Sequence, residues 1–463
     1  MGQSQTMVRR ALMNPTTNAL IVKIDFTIVA SQLLQQTRVV LIDQKEIDQT
    51  ILGADPWKEA LAVPVLDKAE AVKFANDATI LSETDTDEIS LSKRPMDDHA
   101  NAVEPRKLII GSRKSQLAVL QSERIISLLQ EAYPELNIEL VTMSTTGDKI
   151  LDKSLSKIGE KNLFTKELEY ALEKGEIDAI VHSLKDLPTT LPPHLCISAI
   201  DRREIPYDVF IARKDTATSS LSELPKGSLI GSSSLRRIAQ LKRAFPHITC
   251  RCIRGNLNTR LAKLDNPEND LSGIILAAAG VRRMGWADRI TEIMDNNVCH
   301  YAVSQGALGV EIRRNDDYTA SLLHTICDEE SILRCISERS FLRTLDGGCS
   351  TPVGVRTTYD INTHILNIQG RVLSYDGDRL VEDELEANLQ SFQDVTDCNL
   401  TDVQISAIPL NLQKAAFHVG ASLANTLLNN GADILLKEAK DKNLNDIHSA
   451  YNPSSIVKCP LVT

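Results

Sequence analysis

Residues 107–143 of the chain read KLIIGSRKSQLAVLQSERIISLLQEAYPELNIELVTM. The passage contains a short apolar run, a longer amphipathic run and a second short apolar run. The short runs predict strands at residues 107–111 and 138–143, and the longer run predicts a helix from Ser115 to about Tyr133. A strand, a helix and another strand in this order indicate a parallel βαβ unit, and therefore an α/β fold.

The same alternation continues along the chain and predicts two α/β lobes. The further predicted elements are helices at residues 164–174 and 235–244 and from about residue 256, and strands at residues 178–182, 228–231, 247–253 and 273–278. Beyond about Glu329 the pattern changes to a helix, strands and a last helix, which predicts a small α+β C-terminal domain. Within it, residues 376–411 are polar and irregular, and we interpret them as an insertion.

Composition limits the possible functions. The 463 residues include 62 acidic and 51 basic side chains, for a formal net charge of −11, which disfavours nucleic acid as a partner. No run of 18 apolar residues is present, so no membrane span is predicted. Nine cysteines without a C-x-x-C pair favour free thiols in a reducing compartment, and hence a cytoplasmic protein without a bound metal.

Residues 1–105 differ from the rest of the chain, because they show no persuasive helical or strand period. We interpret them as an N-terminal extension that is flexible. Gly2 fits a permissive acylation pattern, and Arg9-Arg10 together with the lack of acidic residues before Asp25 resembles a transit peptide. The sequence leaves open whether the segment is acylated, removed or dispensable.

Basic and small polar residues follow four of the predicted strands. In open α/β sheets, ligands bind beyond the carboxyl ends of strands, where the next helix begins. The residues at these positions are Ser112, Arg113, Lys114, Ser115 and Gln116; Ser183, Lys185 and Asp186; Ser232, Ser233, Ser234, Arg236 and Arg237; and Arg254, Gly255, Asn256, Asn258 and Arg260.

The convergence of these groups predicts a cleft for a ligand with several carboxylates or phosphates. Arginine binds such groups through two parallel hydrogen bonds, while serines and helix N–H groups add neutral donors. Each segment alone has a plainer explanation, since a run such as Ser-Ser-Ser-Leu-Arg-Arg also begins an ordinary capped helix.

Two further residues stand out. Asp186 is a lone acid among these basic groups; it is either a turn residue or a carboxylate for a cationic or N–H-rich part of the ligand. Cys349 follows two glycines in Gly347-Gly-Cys-Ser-Thr-Pro352, where the backbone can turn tightly and leave space beside the thiol. Taken alone, a cysteine in such a loop is a structural thiol in most proteins.

Together these residues resemble the hydroxymethylbilane synthase (porphobilinogen deaminase) family. The resemblance covers about residues 107–355 densely and the remaining C-terminal part loosely, and it leaves out residues 1–105. The blocks that carry it are GSRKSQLA (111–118), STTGD (144–148), KNLFTKEL (161–168), HSLKDLP (182–188), GSSSLRR (231–237), RGNLNTR (254–260), QGALG (305–309) and GGCSTP (347–352).

The resemblance implies an enzyme of tetrapyrrole biosynthesis with two lobes like those of periplasmic binding proteins. Lobe 1 would comprise residues 106–203 and 304–326, lobe 2 residues 204–303, and the cofactor-attachment domain residues 327–463. The crossings near Arg203 and Ala302 would form the hinge between the lobes. The enzyme is expected to be a monomer.

The implied reaction deaminates four porphobilinogen molecules and joins them into linear hydroxymethylbilane. A dipyrromethane primer would be held by a thioether to Cys349. Each pyrrole carries an acetate and a propionate, which explains the many arginines. Asp186 would face the ring N–H groups and the cationic azafulvene that forms when ammonia leaves.

The remaining roles follow from the position of each residue in a motif. The implied cofactor-binding residues are Lys185, Ser233, Arg236, Arg237 and Arg260. The implied substrate-binding residues are Arg113, Ser115, Arg203, Arg254, Asn256 and Phe164, with Phe164 stacking on a pyrrole. Arg283 is a further candidate.

Two other functions remain compatible with the sequence. The first is a non-catalytic two-lobed binding protein for a polycarboxylate ligand, although binding alone would require neither Asp186 nor the Gly-Gly-Cys loop. The second is an interaction protein in which the N-terminal segment recruits a partner and the core is a scaffold.

Overall fold

The computed structural model describes residues 9–14, 19–27, 36–39, 107–145, 165–295, 297–346, 351–392 and 398–450. It divides the chain into two units, residues 1–101 and 102–463. In the first unit, strands β1 (Arg9–Asn14), β2 (Ala19–Thr27) and β3 (Gln36–Val39) form an antiparallel sheet in the order β1-β2-β3. No strand was predicted in this segment.

The second unit begins with the predicted βαβ passage. Strand β4 (Leu108–Arg113), helix α1 (Gln116–Ala132) and strand β5 (Ile138–Met143) lie within two residues of their predicted bounds. The α1 helix begins after Ser115, whose side chain accepts a hydrogen bond from the Ala118 N–H and so satisfies a donor that the first helical turn leaves free.

A five-stranded sheet in the order β5-β4-β6-β13-β7 forms the centre of lobe 1. Helix α2 (Lys166–Glu173) leads into β6 (Ala179–Ser183), and β7 is Leu195–Ile200. Strand β4 is parallel to β5 and β6, whereas β13 (Leu308–Arg313) is antiparallel to β6 and β7. The sheet is therefore mixed rather than parallel throughout. Its antiparallel strand β13 comes from a later part of the chain.

Lobe 2 has a second five-stranded sheet, in the order β10-β9-β11-β8-β12. Strands β9, β10 and β11 are parallel, whereas β8 is antiparallel to β11 and β12. The elements are β8 (Asp208–Ala212), β9 (Leu229–Gly231), α3 (Leu235–Ala244), β10 (Thr249–Arg251), α4 (Leu257–Asp265), β11 (Leu271–Ala277), α5 (Ala278–Arg283) and β12 (Glu292–Ile293). The predicted helix at residues 235–244 has the observed bounds.

The third domain packs helices against an antiparallel sheet in the order β14-β15-β16. A short helix, α6 (Asp317–Leu323), precedes it. The elements of the domain are α7 (Glu329–Thr344), β14 (Val353–Asp360), β15 (Ile365–Leu373), β16 (Leu380–Asn388), α8 (Leu410–Leu427) and α9 (Asp433–Ala450).

The interpretation of residues 376–411 as an irregular insertion is wrong. Residues 380–388 form β16, which pairs with the whole of β15. Leu389, Leu400 and Val403 are buried in the same apolar cluster as α7 and α8. The segment is therefore part of the domain core, and its polar residues belong to the exposed face of an edge strand.

The largest apolar cluster joins the third domain to lobe 1. It contains Leu184, Leu187 and Ile197 of lobe 1 together with Ile332 and Phe341 of α7. The α7 helix is buried on several sides, and its buried Glu338 and Arg339 have partners. Among the described helices, none is long and apolar enough to cross a membrane.

Candidate functional site

Four strand ends place the predicted polar residues in the second unit. The β4 strand ends at Arg113, before the α1 cap at Ser115, and β6 leads into a short 3-10 helix at Leu184–Asp186. In lobe 2, Ser234 caps α3 and its hydroxyl accepts from the Arg237 N–H, while α4 follows Asn256. The strand ends of both lobes therefore carry the basic residues, as the sequence predicted.

A cleft between the two lobes has an empty volume of about 500 Å³, including the part that is open to solvent. Its walls come from both five-stranded sheets and the helices that follow them. Its polar side chains are three arginines, one lysine, one glutamine and one serine. The lining residues are Leu117, Gln121, Ser183, Lys185, Arg237, Leu257, Arg260, Leu276, Ala277, Ala279, Gly280, Arg283, Gly306 and Ala307.

Asp208, at the start of β8, holds the two arginines of α3. Arg236 Nη1 donates to Oδ2 and Arg237 Nη2 donates to Oδ1, each over 2.7 Å, and Asp208 is fully buried. Burial alone would raise the pKa of Asp208, but the two guanidinium groups outweigh it and hold the pKa far below its usual range. The carboxylate is therefore ionised and fixes the direction of both arginines.

Only one of these two arginines faces the cleft. Arg236 Nη1 also donates to the His300 carbonyl oxygen over 2.6 Å, and this residue is absent from the cleft lining. Arg237 lines the cleft and donates from Nη1 to the Ile275 carbonyl oxygen over 3.1 Å. Its buried Nε has no hydrogen-bond partner among the described residues.

Lys185 faces Arg237 from the lobe 1 side. Its Nζ donates to Gln305 Oε1 over 3.2 Å, and Gln305 Nε2 donates to Asp208 Oδ1 over 2.8 Å. The pKa of Lys185 is lowered to about 8, chiefly by burial; Arg237 and Arg236 act in the same direction, while Asp186 and Asp208 oppose them. An anionic ligand would raise this pKa again and so stabilise the charged ammonium group.

Arg260 is the second lobe 2 arginine of the cleft. Its Nε donates to the Gly255 carbonyl oxygen over 2.8 Å, which leaves its terminal nitrogens for other partners. The pKa of Arg260 is lowered to about 10, chiefly by burial and then by Arg237, while Asp186 opposes the shift. Asp186 and Arg260 thus interact electrostatically although they belong to different lobes.

The turn after β6 sets the position of Asp186, which is exposed. The Leu187 N–H donates to the Leu184 carbonyl oxygen over 3.2 Å and closes the turn. Arg339 of α7 is fully buried and donates to the carbonyl oxygens of Leu187 and Pro188 over 3.2 and 2.6 Å. The third domain therefore fixes the backbone next to Asp186.

Arg203, predicted to contact substrate, is placed elsewhere. Its guanidinium group binds both carboxylate oxygens of Glu338 over 2.6 and 3.0 Å and donates from Nε to the Gln305 carbonyl oxygen. The side chain is 2% exposed and is absent from the cleft lining. These contacts tie the predicted hinge to the third domain, because Glu338 belongs to α7. They also leave the Arg203 guanidinium group paired within the fold rather than facing the cleft.

The other predicted residues differ in how closely they approach the cleft. Ser233 donates to the Ile253 carbonyl oxygen over 2.5 Å, which ties the segment before α3 to the segment that follows β10. Arg254 interacts electrostatically with Arg260, whereas Asn256 is exposed at the α4 start. The predicted residues that are absent from the cleft lining are Arg113, Ser115, Asp186, Ser233, Arg254 and Asn256. Phe164 and Cys349 lie outside the described residues.

Sequence reasoning missed Asp208 and assigned no role to Gln305. Asp208 is the first residue of a strand, and nothing in its neighbourhood shows that its partners lie 28 and 29 positions away. Gln305 lies in one of the blocks that carried the family resemblance, so that block was the available signal. Arg283, a further candidate, lines the cleft and donates to the Gly306 carbonyl oxygen over 2.7 Å.

Comparison with known proteins agrees with this geometry. A family model described as "Porphobilinogen deaminase, dipyromethane cofactor binding domain" matches residues 108–321, and one described as "Porphobilinogen deaminase, C-terminal domain" matches residues 332–429. The chain belongs to the porphobilinogen deaminase family. Its members include proteins named porphobilinogen deaminase from Nostoc, Dictyostelium discoideum and Saccharomyces cerevisiae.

These relatives match most of their own length. The Nostoc protein is 50% identical over 61% of this chain and 86% of its own. The Dictyostelium protein is 45% identical over 72% of this chain and 96% of its own, and the yeast protein is 43% identical over 63% and 90%. The family therefore accounts for the two lobes and the third domain up to residue 429.

Solved structures give a weaker comparison. A methionine binding protein is 14% identical with a TM-score of 0.31, and it matches 48% of this chain and 89% of its own. An aliphatic sulphonate binding protein from Escherichia coli is 14% identical with a TM-score of 0.29, over 52% and 71%. The fold class rests instead on the two five-stranded α/β sheets and the smaller α+β domain.

Proposed function

We propose that this chain deaminates porphobilinogen and joins four molecules into linear hydroxymethylbilane on a dipyrromethane primer bound to Cys349. The observation that carries the proposal is the cationic cleft between the lobes, whose Lys185 and Arg260 both interact electrostatically with the exposed carboxylate of Asp186. A growing chain of pyrroles bearing acetate and propionate groups has the complementary charge.

The cleft residues fit such a polycarboxylate group. Arg237 has a buried Nε without a hydrogen-bond partner among the described residues, and burial with nearby arginines disfavours the charge of Lys185. A ligand carboxylate would accept a hydrogen bond from the Arg237 Nε–H, and another would stabilise the charged form of Lys185. When bound, the dipyrromethane group supplies the pyrrole end to which the first substrate unit is joined.

We assign the carboxylate contacts first to the residues that line the cleft, Lys185, Arg237 and Arg260. Arg236 and Ser233 support α3 and its start through their own hydrogen bonds. Arg113, Ser115, Arg254, Asn256 and Phe164 remain proposed substrate contacts on the basis of their motifs, and Cys349 remains the proposed attachment point.

Asp186 is the proposed catalytic residue. Its carboxylate would accept hydrogen bonds from pyrrole N–H groups and stabilise the positive charge that develops on the substrate as ammonia leaves. Preorganised charge of this kind acts strongly because the backbone beside it does not have to move, and Arg339 holds that backbone.

The organisation and setting of the chain belong to the same proposal. The two sheets and the third domain support a division into residues 106–203 with 304–326, residues 204–303 and residues 327–463, preceded by the extension 1–105. The net charge of −11 argues against a nucleic-acid partner, and the seven described cysteines, which lie outside disulfides, support a cytoplasmic setting. The monomeric state remains part of the proposal on the basis of the family resemblance.

Turnover of porphobilinogen tests this proposal. Purified chain incubated with porphobilinogen should release ammonia and form hydroxymethylbilane, with four ammonia molecules for each tetrapyrrole. The Cys349→Ala variant should release none, because it cannot hold the primer. Saturable binding of porphobilinogen by the wild-type chain without ammonia release would instead support the binding-protein alternative.

A further inference from the structure

The turn between β15 and β16, residues 374–379, contacts the helix that carries Arg236 and Arg237. We call it the docking turn. It is braced internally, since Ser374 N donates to the Arg379 carbonyl oxygen over 2.9 Å and Gly377 N donates to the Ser374 carbonyl oxygen over 3.0 Å. A braced turn at the end of a paired hairpin holds its shape when it contacts another element.

The contact with α3 depends on the absence of a side chain at Gly377. A Cβ atom at this position would overlap the carbonyl oxygen of Ala239, in the middle of α3, and would lie 3.0 Å from its carbonyl carbon. Gly377 also has φ +79°, in the region that favours glycine. Both the backbone conformation and the close approach therefore require glycine.

Charged side chains farther along α3 extend the contact. Arg243 Nη1 donates to the Asp378 carbonyl oxygen over 3.1 Å and to that of Gly377 over 3.5 Å. Lys242 Nζ lies 3.8 Å from Asp376 Oδ1, and Lys442 of α9 donates to Asp376 Oδ2 over 2.6 Å. The turn thus contacts α3 at positions 239, 242 and 243, within two turns after the arginine pair.

The other side of α3 is also tied to the third domain. Gln240 accepts from the His300 N–H over 2.8 Å and donates to the His300 carbonyl oxygen over 3.1 Å. A Cβ at Gly354 of β14 would lie 2.8 Å from His300 Cβ, and Arg371 of β15 donates to the Asn297 carbonyl oxygen over 2.8 Å. The third domain therefore contacts α3 directly through the docking turn and indirectly through residues 297–300.

We propose that Gly377 is a positioning residue, which seats the docking turn on the α3 backbone and so fixes Arg236 and Arg237 relative to the third domain. The proposal rests on the proposed function, in which Arg237 holds ligand carboxylates. Because a displacement of about 1 Å in a positioning group can lower a rate by about a hundredfold, a shift of α3 should be measurable in turnover.

Gly377→Ala tests the proposal, with Gly227→Ala as the matched control. Gly227 belongs to lobe 2 and, like Gly377, has a positive φ (+87°), but a Cβ there would meet nothing within 4 Å. The control therefore carries the backbone strain without the clash. The readouts are kcat and KM for porphobilinogen at equal folded fraction, together with the fraction of each protein that carries the primer mass.

We expect kcat/KM of Gly377→Ala to fall at least about tenfold below that of Gly227→Ala, chiefly through a higher KM, because the arginines hold carboxylates. Values within about twofold of each other would overturn the positioning role while leaving the proposed function intact. A wild-type chain without primer or turnover would instead overturn the proposed function.

A second variant covers the case in which Gly377→Ala does not fold. Arg243→Ala removes the donor to the docking turn without a clash, and Arg213→Ala is its control, since Arg213 Nη1 donates to the Asn269 carbonyl oxygen of lobe 2. We expect KM to rise about threefold for Arg243→Ala and to stay unchanged for Arg213→Ala. An equal KM for both variants would overturn the proposal.

Discussion

The Asp186→Asn variant is expected to lose turnover by about a hundredfold to a thousandfold while it keeps its fold and its primer. The asparagine side chain has nearly the same shape but no negative charge, so it cannot stabilise the cation that develops as ammonia leaves. Asp186 is exposed and its neighbouring backbone is held by Arg339, so the substitution leaves no buried group unpaired. The measurement is kcat for porphobilinogen alongside the intact mass.

Asp215→Asn provides the control for this loss. Asp215 is exposed in lobe 2 and pairs with Arg213 over 2.6 Å, so its charge already has a partner of its own. Its removal should leave kcat within about twofold of wild type. A wild-type kcat in Asp186→Asn would show that the carboxylate has only the turn role that its local sequence also allowed.

Asp208→Asn should have the largest effect on stability, with a loss of about 3–5 kcal/mol in the free energy of unfolding. The substitution leaves two buried arginines, Arg236 and Arg237, without their shared negative charge, and it puts an NH2 donor in place of one of the two acceptor oxygens. Urea unfolding of both proteins measures the difference directly.

The pH dependence of this difference has a definite sign. The pKa of Asp208 is lower in the fold than its ordinary value of 3.8, so the folded chain binds this proton less readily than the unfolded chain. The stabilisation is therefore fully present above the unfolded pKa and is lost as pH falls towards the folded pKa. The gap between wild type and variant should be constant from about pH 5 to 8 and should narrow below about pH 4.

Asp270→Asn separates this effect from ordinary ion-pair loss. Asp270 pairs with Arg251, and both side chains are more than a third exposed. Its substitution should cost less than about 1 kcal/mol, since water screens such pairs. If Asp208→Asn costs no more than Asp270→Asn, the account of Asp208 as the support of the arginine helix is wrong.

The sequence predicted those elements whose pattern is local. The helix at residues 235–244 and the strand at residues 138–143 have the predicted bounds, because an apolar period and clear terminal residues mark them. Serine caps follow the same logic, since Ser115 and Ser234 each accept from an N–H three residues later. The family resemblance then placed Lys185, Arg237 and Arg260 in one cleft, where the structure has them.

Features that depend on distant contacts could not be predicted from the sequence. The β16 strand reads as a polar segment because only Val381, Leu385 and Ala387 pack against the core and acidic residues fill the exposed face. Arg203 pairs with Glu338, which lies 135 positions away in the sequence. A pattern of charges along the chain does not show which arginines are paired within the fold and which face a ligand.

The intact mass of the purified chain, with peptide mapping around Cys349, tests the central claim most directly. Our account predicts an excess mass equal to two linked pyrrole units, located on the peptide that contains Cys349 and absent from Cys349→Ala. A bare Cys349 that gains no mass after incubation with porphobilinogen would contradict the account and leave a binding protein as the better explanation of the cleft.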